Sequence, residues 1–185
     1  PLKFDYPLWF FLTSGAVMPE YVDAFLRPLG WLFAIAGSVL LVIGFAQIVH
    51  SIISKTGLVK TGLYSLVRHP QHLGIATLTL GIVLGWNRYG IRPGDIIGWI
   101  ILNSLYIMLA LREEESLNRK FGAEFVEYTS KVPFVIPFVP PSLSSSITSA
   151  IPSGRKGFIV IAAIVFILIL FVGFVFSLFP LTHPR

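Results

Sequence analysis

Residues 157 to 179 read GFIVIAAIVFILILFVGFVFSLF and contain no charged side chain. A helix needs about 20 predominantly apolar residues to cross a hydrocarbon core about 30 Å thick. Inside that core only a helix or a closed barrel satisfies its own backbone. The stretch therefore predicts a membrane-spanning helix and, with it, an integral membrane protein. The rest of the chain agrees. Of its 185 residues, 55% are hydrophobic and 12% charged, against about 25% charged in a soluble domain. The mean hydropathy is +0.80.

Outward from this helix, residues 29 to 53 (LGWLFAIAGSVLLVIGFAQIVHSII) give a second span, with Gln47 and His50 near one end. Residues 70 to 87 and 95 to 111 predict a helical hairpin closed by the polar turn NRYGIRPG. Residues 7 to 18 are apolar but short, a candidate fifth crossing. The expected fold class is an all-α integral membrane protein of four to five transmembrane helices, with a cytoplasmic helical segment and a Pro-rich lid. Residues 1 to 54 form its N-terminal transmembrane region and 55 to 141 its core. Residues 142 to 156 form a Ser-rich linker and 157 to 185 the last helix.

Cytoplasmic loops of membrane proteins carry an excess of lysine and arginine. If residues 54 to 71 and 112 to 156 share a side with the N-terminus, that side holds Lys3, Lys55, Lys60, Arg68, Arg112, Arg119, Lys120, Lys131, Arg155 and Lys156. The other side holds Arg27, Arg88, Arg92 and Arg185. Ten of 14 basic residues then mark the first side as cytoplasmic. The net charge of +5 reflects those loops rather than nucleic-acid binding. With no cysteine, disulfides and thiolate metal sites are excluded. Neither end carries a cleavable signal pattern, and the chain begins at Pro1 rather than methionine, which leaves room for an upstream piece that is missing or removed.

Two charged constellations fall on the cytoplasmic side. The first lies in LYSLVRHPQHLG, residues 63 to 74. Proline is favoured at a first helical position and pushes its predecessor out of helical geometry. Pro70 should start the span with His69 just outside it. The free N–H groups and positive end of that helix suit an anion, and Arg68 adds a planar charged donor. The bland alternative is that Arg68 pins the helix to lipid headgroups.

The second constellation is REEE, residues 112 to 115, directly after the apolar span. Leu117, Phe121, Phe125 and Tyr128 continue at helical spacing, so Glu113 and Glu114 project on or beside an apolar stripe. Glu115 and Arg119 can pair outside at i,i+4. Carboxylates on the packed side of a span need a partner, and Arg68, Lys55 or a cation could serve. Together the two constellations suit a zwitterionic ligand carrying a carboxylate, an amine and hydroxyls. His69 and His72 stand three apart, but the sequence patterns no further metal ligand around them, so no metal site is expected. Asn103 reads as an interhelical hydrogen bond and His50 as an interfacial side chain.

VPFVIPFVPP, residues 132 to 141, is apolar, yet its four prolines forbid a regular helix or central strand. It should lie on the protein or at the interface, as a lid over a site. SLSSSITSAIPSG, residues 142 to 154, reads as a flexible polar linker.

The segments GLYSLVRHPQHLG (62 to 74), REEESLNRKFGAEFVEY (112 to 128) and KVPFVIP (131 to 137) together resemble the isoprenylcysteine carboxyl methyltransferase and phospholipid methyltransferase family. These are small membrane enzymes that use S-adenosylmethionine. The resemblance covers roughly residues 55 to 138. It implies cofactor contacts at Gly62, Tyr64, Arg68, His69, His72, Glu113 and Glu114, with His69 and Arg112 as catalytic candidates. The implied acceptor is lipid-like or prenylated. Two positions depart from the family pattern. His72 stands where a tyrosine is usual, and Leu109 stands where the prenylcysteine enzymes resemble one another in an arginine. The same pattern also resembles the C-terminal part of membrane sterol reductases, which would imply a reduced nicotinamide cofactor. A third reading is a non-catalytic subunit of a membrane complex that keeps the fold.

Overall fold

Three of the described helices begin on a proline, a residue whose missing N–H and fixed φ cost nothing at a first helical position. The computed structural model describes residues 20–86, 91–152 and 154–177, and the apolar run at 7 to 18 lies outside them. Helix α1 is Glu20–Ser54, α2 is Pro70–Gly85, α3 is Pro93–Phe121, α4 is Ala123–Lys131, α5 is Pro141–Ala150 and α6 is Arg155–Ser177. One turn of 3-10 helix occupies Gly62–Ser65, and there is no strand among the described residues.

By length and composition, α1, α3 and α6 can cross a membrane, through Ala24–Ser54, Pro93–Phe121 and Lys156–Val175. Helix α2 is apolar but has 16 residues. At 1.5 Å per residue it is about 24 Å long, short of the about 30 Å of hydrocarbon. The described residues thus form an all-helical multi-pass arrangement with three such spans, where composition alone predicts four or five.

Glycines set how α1 meets α2. Gly30, Gly37 and Gly44 recur every seven residues along α1 and face α2, where Gly74, Gly81 and Gly85 answer them. A Cβ on Gly74 would stand 2.6 Å from the backbone nitrogen of Leu41. One on Gly37 would overlap the backbone of Leu78, and one on Gly81 that of Ala34. Two backbones in contact gain dispersion along the whole seam, the interaction that replaces the hydrophobic effect between helices in lipid.

Helix α3 runs back antiparallel to α2, and the Trp99 indole N–H donates to the Ala76 carbonyl at 3.0 Å. Asn103 does not join two helices. Its amide donates to the Trp99 carbonyl one turn earlier, at 2.8 Å, the local side-chain-to-backbone bond that competes with partners on other helices. Leu84, Ile91, Ile97 and Val172 form an apolar cluster where α2, α3 and α6 meet, away from Pro70.

Towards the Pro70 end, α3 continues ten residues beyond the span expected to end at Leu111. It stops at Gly122, whose φ of 53° turns the chain into α4. The apolar stripe therefore bends over two helices, and Phe125, Tyr128 and Val132 pack with Leu58, Leu117 and Phe121. Glu115 and Arg119 do not pair through their side chains. Arg119 Nε donates to the Glu115 main-chain carbonyl at 3.2 Å.

Where composition predicts a flexible linker, residues Pro141–Ala150 form α5. Serine usually disfavours a helix by competing for its backbone. Here Ser145 and Ser146 donate to the carbonyls of Pro141 and Ser142, at 2.8 and 2.9 Å, and the turn stays helical.

Candidate functional site

The chain enters the site through a tight turn that only glycine can make. Gly62 has a φ of 63°, and a Cβ there would overlap the Gln47 side chain. Gln47 in turn accepts from the Leu63 N–H at 3.2 Å and donates to the Thr61 carbonyl at 3.4 Å. Tyr64 is then buried. Its hydroxyl donates to Gln71 Oε1 at 2.9 Å, and its carbonyl accepts from the Tyr128 hydroxyl at 2.6 Å. Burial raises the pKa of both phenols, so both keep their protons and act as donors.

Arg68 and His69 leave this turn against the Pro-rich segment. Their N–H groups donate to the carbonyls of Pro133 and Phe134, at 2.9 and 3.2 Å. The Phe134 ring stands edge-on to His69, 5.0 Å between centroids, and beneath the Arg68 guanidinium at 5.5 Å. Ser144 of α5 ties the two layers together. Its Oγ accepts from the Phe134 N–H at 2.7 Å and from Arg68 NH2 at 3.5 Å.

Opposite stands the end of α3. Arg68 NH1 donates to Glu114 Oε1 at 2.6 Å, with the two side chains 3% and 14% exposed. His69 Nδ1 lies 3.5 Å from Glu113 Oε2. Its Nε2 lies 3.4 Å from Glu114 Oε1, within ion-pair reach but without the alignment of a hydrogen bond. Burial alone would hold the imidazole neutral. The carboxylates of Glu113 and Glu114 outweigh it, and the His69 pKa lies above its ordinary value. Burial pulls the Arg68 pKa down against Glu114 and Tyr128, from so high a starting value that the charge remains.

The structure thus brings Arg68, His69, Glu113 and Glu114 together, sets Tyr64 on the same cavity as Arg68, His69 and Glu113, and keeps Gly62 at the turn that delivers them. His72, one turn into α2, is buried behind His69, with ring centroids 5.2 Å apart, and beside Tyr106 at 5.7 Å. Arg112 is exposed and lines a different cavity from His69. Ser144, Phe134 and Tyr128 were not singled out as site residues. No spacing rule connects a serine in a polar stretch to an arginine 76 positions earlier. His50 is exposed.

Two cavities flank the Arg68–Glu114 pair. One, of about 360 Å³, is lined by Tyr64, Arg68, His69, Gln71, Glu113 and Tyr128. The other, of about 330 Å³, is lined by Arg68, Arg112 and Glu114, with Met108, Phe158 and Ile161 on its apolar side. Both volumes fall in the about 300–1,000 Å³ range of small-molecule sites. Arg68 Nε is buried with no hydrogen-bond partner among the described residues. A buried donor left open costs stability unless a ligand supplies the acceptor. The set fits a ligand that brings a carboxylate to Arg68 and an amine or hydroxyl to Glu113.

Over 75 residues the chain is 32% identical to methanethiol S-methyltransferase 2 of Bradyrhizobium diazoefficiens, a match covering 40% of this chain and 26% of that protein. The chain therefore spans about a quarter of the length of the relative it matches. No protein-family model matches the chain. No solved structure matches it.

Proposed function

We propose that this chain is a membrane methyltransferase that takes its methyl group from S-adenosylmethionine and passes it to a lipid-like or prenylated acceptor. The observation that carries this reading is the buried Arg68–Glu114 pair between two cavities, with Arg68 Nε open to an acceptor. The similarity to a methyltransferase supports it. S-adenosylmethionine supplies, when bound, an activated methyl group on a sulfonium centre. The protein contributes position and exclusion of water.

In this reading Arg68, fixed from one side by Glu114, offers its remaining donors to the cofactor carboxylate. Glu113 takes the amine or a ribose hydroxyl. A carboxylate acceptor is already ionised and needs no base. An amine or thiol acceptor has to lose a proton, and His69, made more basic by its two glutamates, or His72 takes it. The cavity beside Met108, Phe158 and Ile161 receives the apolar part of the acceptor from the bilayer, with Arg112 on its lining for an anionic group. The Pro-rich segment, seated on Arg68 and His69 through Phe134, acts as the lid.

A small thiol as acceptor is the second reading, favoured by the activity in the relative's name. Purified full-length chain in detergent, given methyl-labelled cofactor with membrane lipid or with methanethiol, separates the two. Label in extracted lipid supports the first, and label in a volatile sulfide the second. Thermal stabilisation by reduced nicotinamide dinucleotide phosphate instead of adenosylhomocysteine would turn the assignment to a reductase. Stabilisation by neither, with other chains co-purifying, would turn it to a non-catalytic subunit.

A further inference from the structure

We propose that His69, His72 and Glu113 form a three-ligand site for a divalent cation of the zinc class, with a fourth position open towards the about 360 Å³ cavity. One ligand atom from each residue lies within 4.8 Å of the other two. The pair of histidines comes from the start of α2, and the third donor crosses from α3.

Four observations carry this. First, His72 is 6% exposed, and its Nδ1 has no hydrogen-bond partner among the described residues. A buried imidazole nitrogen without a partner costs stability unless something coordinates it. Second, the separation of His69 Nδ1 from Glu113 Oε2, 3.5 Å, is close to a ligand–ligand edge. Metal–ligand bonds of about 2.0–2.1 Å in a tetrahedron place neighbouring ligand atoms about 3.3 Å apart. Third, the other nitrogen of His69 lies 3.4 Å from Glu114, within ion-pair reach though not aligned for a hydrogen bond, and Arg68 holds that carboxylate at 2.6 Å. Histidines that ligate metals almost always turn their second nitrogen to such a carboxylate, which fixes ring and tautomer. Fourth, Glu113 is 41% exposed while both imidazoles are buried, which leaves one side for entry and exchange.

Two nitrogens and one carboxylate oxygen suit zinc, cobalt or nickel rather than calcium or magnesium, which prefer all-oxygen shells. Three protein ligands with one exchangeable position is the arrangement of catalytic rather than structural zinc. The proposal stands without the methyltransferase reading, and an occupied site would withdraw His69, His72 and Glu113 from the proton-accepting and amine-binding roles given them there.

The test is a cobalt titration of chelator-treated, full-length protein in detergent, with no cofactor present. One equivalent should bind, with the intense visible bands of four-coordinate cobalt, and zinc should displace it. Removing an outer carboxylate such as Glu114 (Glu114→Gln) should weaken binding about 10–100-fold. Removing a ligand, by His72→Phe or Glu113→Gln, should weaken it further and abolish the bands. Melting curves and gel filtration on each variant identify any that fail to fold, and either ligand variant alone suffices. Absence of stoichiometric cobalt binding by the parent overturns the site, as does binding unchanged in a folded ligand variant. A separate titration with S-adenosylmethionine reports on the other reading, so the two fail independently.

Discussion

At the residue scale, the site rests on one guanidinium between two polar layers. Arg68→Ala leaves the Glu114 carboxylate without its cation in a nearly closed position, and breaking a buried pair from one side costs about 3–5 kcal/mol. A fall in melting temperature and loss of adenosylmethionine binding are expected. Arg68→Met with Glu114→Leu should recover much of the stability and none of the binding. Recovery of both would remove Arg68 from the cofactor site. Ser144→Ala takes away the acceptor of the Phe134 N–H. The expected cost is about 1–3 kcal/mol, the range for a buried donor left open. A melting temperature equal to the parent's would show that Ser144 ties nothing. The sequence made Arg68, His69 and the two glutamates visible because proline, charge and the end of an apolar run are local signals. Ser144 and Phe134 were not visible as partners, since only the folded chain brings their segments to Arg68.

At the scale of elements, the α1–α2 seam depends on the absence of side chains. Gly37→Leu or Gly81→Val would force apart backbones already in contact, and loss of folded protein by gel filtration is the expected result. Gly98 is the contrast, with nothing within 4 Å of an added Cβ. Gly98→Ala should be neutral or stabilising by up to about 1 kcal/mol through helix propensity. If Gly37→Leu behaves like Gly98→Ala, the seam is not held by its glycines. The heptad spacing of Gly30, Gly37 and Gly44 can be read in the sequence, but which helix answers it cannot. Helix α5 was hidden for another reason. Serine-rich composition signals a solvated linker, and nothing local reveals that the hydroxyls will fold back onto their own carbonyls.

At the scale of the whole molecule, the apolar runs announced a membrane protein, and three helices have the length and composition to cross. The cytoplasmic orientation of the site follows from the lysine and arginine count and is a proposal with a direct test. The chain has no cysteine, so a single Ser130→Cys on exposed α4 gives one addressable thiol. An impermeant maleimide should label it only after the cell is opened, and labelling of intact cells would invert the topology. The short α2 carries a consequence for the lipid itself. Arg68 and His69, at its start, meet α3 at Glu113 and Glu114, and α3 continues to Phe121, about 10 Å further along its axis. A surrounding bilayer matched to α1 and α3 is thicker than α2 is long, so lipid beside α2 must thin. On the methyltransferase reading, turnover in vesicles of shorter-chain lipid should exceed that in longer-chain lipid. Bilayer thickness would then act as a regulator of this protein, through a helix too short for its neighbours.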